Sequence, residues 1–200
     1  VTVIIPNLNG MAYLKGCLSS LRDQSMDEFD IILVDNGSTD GSVEYVRNGF
    51  PQVRIRRFRK NTGFCHAVNA GISMCHTPYV ILLNNDTVCD RRFVAEMLKA
   101  IKRRPGCFSC ASRMVQMRQP ELMDDGGDDY CALGWAFANG KGKPAYLFHK
   151  ERRVFAACAG AAIYRRSVLE ELGLFDERHF AYLEDIDIGY RARIRGYENW

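Results

Sequence analysis

No stretch of this chain strings together the roughly 18 to 20 apolar residues that a membrane-spanning helix needs. The N-terminus also lacks the charged-then-apolar order of a secretion signal. The sequence is therefore expected to behave as a soluble piece, with any anchor or targeting segment outside it. Glycine-rich phosphate cradles are missing too. No G-x-G-x-x-G follows the first apolar run and no G-x-x-x-x-G-K-[ST] occurs anywhere, which removes the main support for dinucleotide-dependent dehydrogenases and P-loop enzymes. A strong excess of one sign of charge is missing as well: the net charge is only +3, concentrated in Arg54, Arg56, Arg57, Arg59 and Lys60. That run reads as a solvated strand edge or as help in holding a diphosphate. A nucleic-acid surface needs a broader basic area with aromatic partners, so no nucleic-acid partner is expected.

The eight cysteines are scattered through apolar segments without a compact framework, so buried reduced thiols are expected rather than disulfides. Cys107 and Cys110 form one C-x-x-C, but no second pair or nearby histidine completes a zinc set. What is present is an ordinary globular composition. With 200 residues, 47% of them hydrophobic and 26% charged, the chain is long enough for one domain with a sizeable core. It starts without methionine inside a strand-like run and stops at Trp200, so both ends read as cut.

Val1 to Pro6 is a continuous apolar run closed by proline, as in a buried parallel strand. Residues 11–21 then place Leu14, Cys17, Leu18 and Leu21 at helical spacing. The alternation continues with strands at 29–34, 53–58, 79–83 and 108–116 and helices at 41–48, 64–74 and 91–103. A strand at 159–164 and a helix at 167–172 follow. Such β-α alternation predicts a Rossmann-like, mostly parallel central sheet with helices on both faces. Between residues 119 and 150 the periodicity fails, and a long surface loop with a short hairpin is expected. Residues 184–195 fit both a strand and a helix.

In such a sheet, ligands bind where strands end at their carboxyl termini. Three polar clusters lie directly after apolar runs: Pro6-Asn7-Leu8-Asn9, Asp35 to Asp40 with Asn36 and Ser38, and Asn84-Asn85-Asp86. Each suits a turn or helix cap when taken alone. Together they would share one sheet edge and one ligand. Asp86 with its two amide neighbours offers the hard oxygen ligands that Mg²⁺ or Mn²⁺ prefers. A fourth cluster, Phe175-Asp176-Glu177 followed by Glu184, Asp185 and Asp187, reads alone as a solvated acidic loop. The preceding Phe180-Ala181-Tyr182-Leu183 would instead set its carboxylates against apolar walls, where one can serve as a general base.

The ordered set VTVIIPNLNG, VDNGSTDGS, Asn61-Thr62-Gly63-Phe64 continuing to Asn69-Ala70-Gly71, YVILLNNDT, AGAAIYRRSVLEELGLFDE and FAYLEDIDIGYRARIRGYE resembles family-2 glycosyltransferases of the GT-A fold. The resemblance spans nearly the whole chain and is strongest to non-processive, rhamnosyltransferase-like members. It implies a metal-dependent, inverting hexosyl- or deoxyhexosyltransferase. By the same resemblance, residues 1–116 form the nucleotide-sugar part and 117–200 the acceptor side. Asp35 would accept the N3–H of uracil or thymine, which favours a UDP- or dTDP-sugar donor. Pro6, Asn7, Asn9, Asn36, Ser38, Asn61, Gly63, Asn69, Asn84 and Asn85 would line the nucleotide-sugar site, and Asp86 would be the principal ligand of a divalent cation. Asp185 would be the catalytic base, with Glu184 and Asp187 supporting it. The acceptor would be a glycan or glycolipid, met in the cytoplasm or at the cytoplasmic face of the membrane. Two departures stand out: Asn84-Asn85-Asp86 replaces a motif that often carries two aspartates, and a metal-site histidine common in the family would lie beyond Trp200. The alternatives are a sugar nucleotidyltransferase, disfavoured by the short Asn7-Leu8-Asn9-Gly10 loop, and a non-catalytic nucleotide-sugar-binding module.

Overall fold

The apolar runs become the strands of one seven-stranded sheet in the computed structural model, which describes every residue from Val1 to Trp200. In chain order the elements that build it are β1 (Thr2–Asn7), α1 (Met11–Arg22), β2 (Asp30–Asp35), α2 (Ser42–Gly49), β3 (Arg54–Arg57), α3 (Phe64–Ser73), β4 (Tyr79–Leu83), α4 (Phe93–Lys102) and β5 (Cys107–Ala111). Four short strands follow: β6 (Met114–Val115), β7 (Met123–Asp125), β8 (Asp128–Tyr130) and β9 (Ala136–Ala138). A 3-10 turn spans Ala145–Leu147, and β10 (Ala161–Arg165), α5 (Arg166–Glu171), α6 (Glu184–Ile194) and β11 (Glu198–Asn199) complete the chain. The sheet order is β11-β5-β10-β4-β1-β2-β3.

β1 runs parallel to both β2 and β4, and its side chains divide with the period of two that a strand imposes. Val3 and Ile5 enter one core layer with Leu14, Leu18 and Ile101 from α1 and α4. Ile4 enters the other, with Val68 of α3 and Ile188 of α6. Burial on both faces explains why β1 reads as an unbroken apolar run. The arginine-rich strand β3 is the edge, paired only with β2, as charged residues on an edge strand suit.

Three expectations are refined. The strand expected over 108–116 ends at Ala111, and Met114–Val115 leaves the main sheet to pair with β7. The irregular stretch 119–150 carries the expected hairpin as antiparallel β8–β9, and beyond it β7 and the 3-10 turn. β10 lies antiparallel to both β4 and β5, so one strand of the mostly parallel sheet runs backward. The ambiguous 184–195 segment is helix α6. Gly189 explains how it fits, since a Cβ there would stand 2.5 Å from the Cβ of Ala156. No helix is long and apolar enough to cross a membrane. All eight cysteines are free thiols, and the Sγ atoms of Cys107 and Cys110 lie 3.5 Å apart.

Candidate active site

Asn7 ends β1 and ties the three polar clusters together. Its Nδ2 donates to Asp35 Oδ1, Ser38 Oγ and Ser42 Oγ, each at 3.1 Å, and its Oδ1 accepts from Asn85 Nδ2 at 2.7 Å. The side chain is only 2% exposed, so these bonds are made where an unpaired amide would be costly. One residue thus fastens the ends of β1, β2 and β4 at a common sheet edge. Asn9 extends the clasp: its N–H donates to Ser38 Oγ and its Oδ1 accepts from Thr39 N–H. Pro6 precedes the clasp and is partly exposed.

Asp35 is fully enclosed. Oδ2 accepts from Ser38 N–H at 3.1 Å, and Arg57 Nε lies 3.7 Å away as a half-exposed cover. The side chain therefore braces its own turn. Asn36 points the other way. Its Nδ2 donates to Asn61 Oδ1 and Gly63 O, while its Oδ1 accepts from the N–H and Oγ1–H of Thr62. Gly63 sits at φ 89°, and a Cβ there would meet Phe180 O at 2.8 Å. Phe64 N–H also donates to Phe180 O at 2.7 Å, so the loop 61–64 abuts the segment leading to Asp185. Asn69 is not part of this edge: its amide clamps the backbone of Phe175 and the carboxylate of Glu177.

Asp185 lies in the first turn of α6, where the helix dipole favours a carboxylate. Tyr182 and Leu183, just before it, hold left-handed backbone at φ 72° and 65°, a strain that persists only where surroundings enforce it. Asp185 Oδ1 accepts from Ile186 N–H at 2.8 Å and Oδ2 from Ala159 N–H at 3.4 Å. Burial raises its pKa above the ordinary carboxylate range. Glu184 is 7% exposed with Oε2 unpaired, and burial, reinforced by the charge of Asp185, lifts its pKa to about 7. Asp187 faces elsewhere, paired with Arg191, which also holds the Leu172 and Leu174 carbonyls.

Ala159 and Gly160 connect the two halves. Ala159 donates to Asp185, while the next residue's carbonyl accepts from Asn84 N–H at 2.8 Å. The Asn84-Asn85-Asp86 turn therefore stands across a short bridge from Asp185. Asp86 is exposed and takes part in no hydrogen bond or ion pair, so its carboxylate is free for a hard cation. A separate cavity of about 570 Å³ between α4 and residues 148–152 contains neither Asp86 nor Asp185.

Sequence reasoning missed Asp125, Asp128 and Cys158, which lay in or beside the stretch without periodicity. One ligand atom from each lies within 4.8 Å of the others. Burial first, then the charges of Asp185 and Asp125, lift the Asp128 pKa to about 8, and burial pushes the Cys158 thiol up as well. A thiol in the set favours a softer cation than a diphosphate site requires. Asp128 has a consequence for stability. Its folded pKa exceeds its unfolded value near 4, so its contribution is full below that value and is lost as pH rises through about 8. Asp128→Asn should therefore gain on the wild type in thermal midpoint as pH rises from 4 to 8. A midpoint difference that stays constant over that range would rule the buried proton out.

The model of Glycosyl transferase family 2 matches residues 2–173. The chain belongs to that family. It is 28% identical over 208 residues to an N-acetylglucosaminyl-diphospho-decaprenol L-rhamnosyltransferase of Mycobacterium tuberculosis, covering 92% of this chain and 67% of the relative. It is 32% identical over 194 residues to a PGL/p-HBAD biosynthesis glycosyltransferase of Mycobacterium bovis, covering 96% and 68%. Among solved structures, S. aureus TarS 1-349 in complex with UDP-GlcNAc superposes with a TM-score of 0.72 at 19% identity, covering 100% of this chain and 55% of that one. The mannosyltransferase PcManGT of Pyrobaculum calidifontis, in complex with GDP-Man and Mn²⁺, gives 0.73 at 18%, covering 99% and 53%. The fold of this family-2 chain is GT-A, and it spans about half the length of those two structures.

Proposed function

We propose that this family-2 chain is the catalytic core of an inverting transferase that moves a hexose or deoxyhexose from a UDP- or dTDP-sugar to a hydroxyl of a lipid-linked glycan. Residues 1–116 hold the donor and 117–200 present the acceptor. The supporting observation is the Ala159-Gly160 bridge, which sets Asp185 opposite the Asn84-Asn85-Asp86 turn. The mycobacterial rhamnosyltransferase supports the acceptor class, because the acceptor in its name is a diphospholipid-linked sugar.

In the reaction, Asp185 takes the proton of the acceptor hydroxyl as that oxygen attacks the anomeric carbon. The new glycosidic bond forms as the bond to the donor's diphosphate oxygen breaks, and the nucleoside diphosphate leaves with that electron pair. Attack opposite the leaving group inverts the centre without a covalent enzyme intermediate. The raised pKa of Asp185 makes it a stronger base than an exposed carboxylate. Asp86, exposed and unpaired, fits a hard divalent cation, with Asn84 and Asn85 as neutral neighbours. Bound there, Mg²⁺ or Mn²⁺ would neutralise charge on the departing diphosphate. Asn7 keeps the three strand ends fixed so that donor and acceptor meet at one edge.

The donor half is tested by competition. UDP and dTDP should displace a bound nucleotide sugar, and CDP should not, because cytosine presents an acceptor at N3. Asp35→Ala should weaken UDP binding by about 1.5–3 kcal/mol if Arg57 opens onto the base. Equal binding of CDP and UDP to the wild type would leave Asp35 as a brace of the turn alone.

A further inference from the structure

From Tyr130 to Lys150 the chain contains no aspartate or glutamate, while Lys141, Lys143 and Lys150 are exposed and take part in no ion pair. The same stretch holds large apolar side chains in water: Leu133 is 85% exposed, Tyr146 74%, Trp135 66% and Leu147 55%. Isolated exposed apolar residues need no explanation, but such a concentration on one insertion marks an interaction surface. Tryptophan and tyrosine suit the headgroup level of a bilayer, and exposed lysines that take part in no ion pair suit an anionic one.

The base of this insertion is packed against the body of the chain. Asp128 forms an antiparallel bridge with Ala156. Tyr130 packs on Phe155 at 4.9 Å between ring centroids, and Phe155 stacks on Tyr190 of α6 at 5.9 Å. The hairpin that carries Leu133 and Trp135 at its turn is thus seated on the helix that carries Asp185.

We propose that residues 130–150 dock the enzyme on an anionic bilayer surface, with Leu133, Trp135, Tyr146 and Leu147 entering the interface and the three lysines meeting lipid phosphates. The proposal rests on the reading of a lipid-linked acceptor and deepens it: seated through this insertion, the enzyme meets a substrate whose glycan head stands just above the membrane. The occupant is lipid because the insertion's own exposed charges are lysines that take part in no ion pair and its exposed rings are those of the bilayer interface.

The test is co-sedimentation of the full chain with sucrose-loaded vesicles of phosphatidylglycerol and phosphatidylcholine, against pure phosphatidylcholine. Binding should be at least about tenfold stronger to the anionic vesicles and should fall by about that factor in a Lys141→Glu, Lys143→Glu variant. Leu133→Ser with Trp135→Ala should weaken it comparably, with circular dichroism confirming the fold. In a Trp200→Phe background, brominated lipids should quench Trp135 emission, which requires no change at the surface itself. Equal binding to both vesicle types, no quenching, or self-association that the Leu133 and Trp135 changes abolish would each overturn the proposal. Transfer to a short, water-soluble acceptor is measured in parallel. Transfer without vesicle binding overturns the docking alone, and vesicle binding without transfer overturns the functional reading alone.

Discussion

Asp185→Asn is expected to lower the transfer rate by about 10²- to 10⁴-fold, the range that a positioned general base supplies, while nucleoside diphosphate binding survives. The amide keeps the volume, and its one oxygen can still accept from Ile186 or Ala159 N–H, while the bond from Asn84 N–H to Gly160 O joins backbone groups alone and stays in place. What it loses is proton affinity at the acceptor oxygen. Transfer measured with a saturating acceptor, beside a calorimetric titration with UDP, separates the two effects. The pH profile adds a second readout. A base works deprotonated, so the rate should climb with pH through the raised pKa of Asp185, and ionisation of Glu184 near pH 7 should shift that climb. Transfer near the wild-type rate in Asp185→Asn would remove the residue from this role, and Glu184, whose Oε2 is unpaired, would take its place.

Asp86→Ala should abolish nucleotide-dependent binding of Mn²⁺ or Mg²⁺ and reduce transfer by about 10²-fold or more, since a cation at a departing diphosphate supplies several kcal/mol. The site has one free carboxylate and two neutral amides, and hard cations hold so partial a shell weakly until substrate oxygens complete it. The wild-type chain is therefore expected to bind these ions poorly alone and appreciably better with UDP or dTDP. Adding the downstream segment with the histidine that the family resemblance implies should tighten binding further. Metal titrations of both lengths and of Asp86→Ala, with and without nucleotide, make the comparison. If Asp86→Ala left the nucleotide-dependent binding unchanged, the turn would be a strand end and the metal site would have to be sought elsewhere.

The residues legible in the sequence were those whose role follows from local order. Val3, Ile4 and Ile5 announce a strand buried on both faces, and an Asn or Asp directly after such a run marks a polar strand end, here joined to its neighbours through Asn7. The partner of Asn69 was not legible, because an asparagine inside a glycine-bearing segment looks the same whether it faces a ligand or clamps a distant backbone; it bonds Phe175, 106 positions away. The surroundings of Asp35 were hidden from the sequence for a similar reason. A strand-end carboxylate reads as a ligand group, yet Asn7, Ser38 and Arg57 close around it in space.

By itself the sequence determined the alternation of strands and helices and the polar clusters after β1, β2 and β4, because side-chain periodicity and turn chemistry act over a few residues. The tertiary structure decided the rest. Only long-range pairing reverses β10 between β4 and β5, and that reversal brings Ala159 and Gly160 between Asp185 and Asn84. Only packing settles α6, where an ambiguous apolar pattern becomes a helix with Gly189 against Ala156. The burial that raises the pKa values of Asp185, Glu184 and Asp128 likewise exists only once segments far apart in sequence have closed over them.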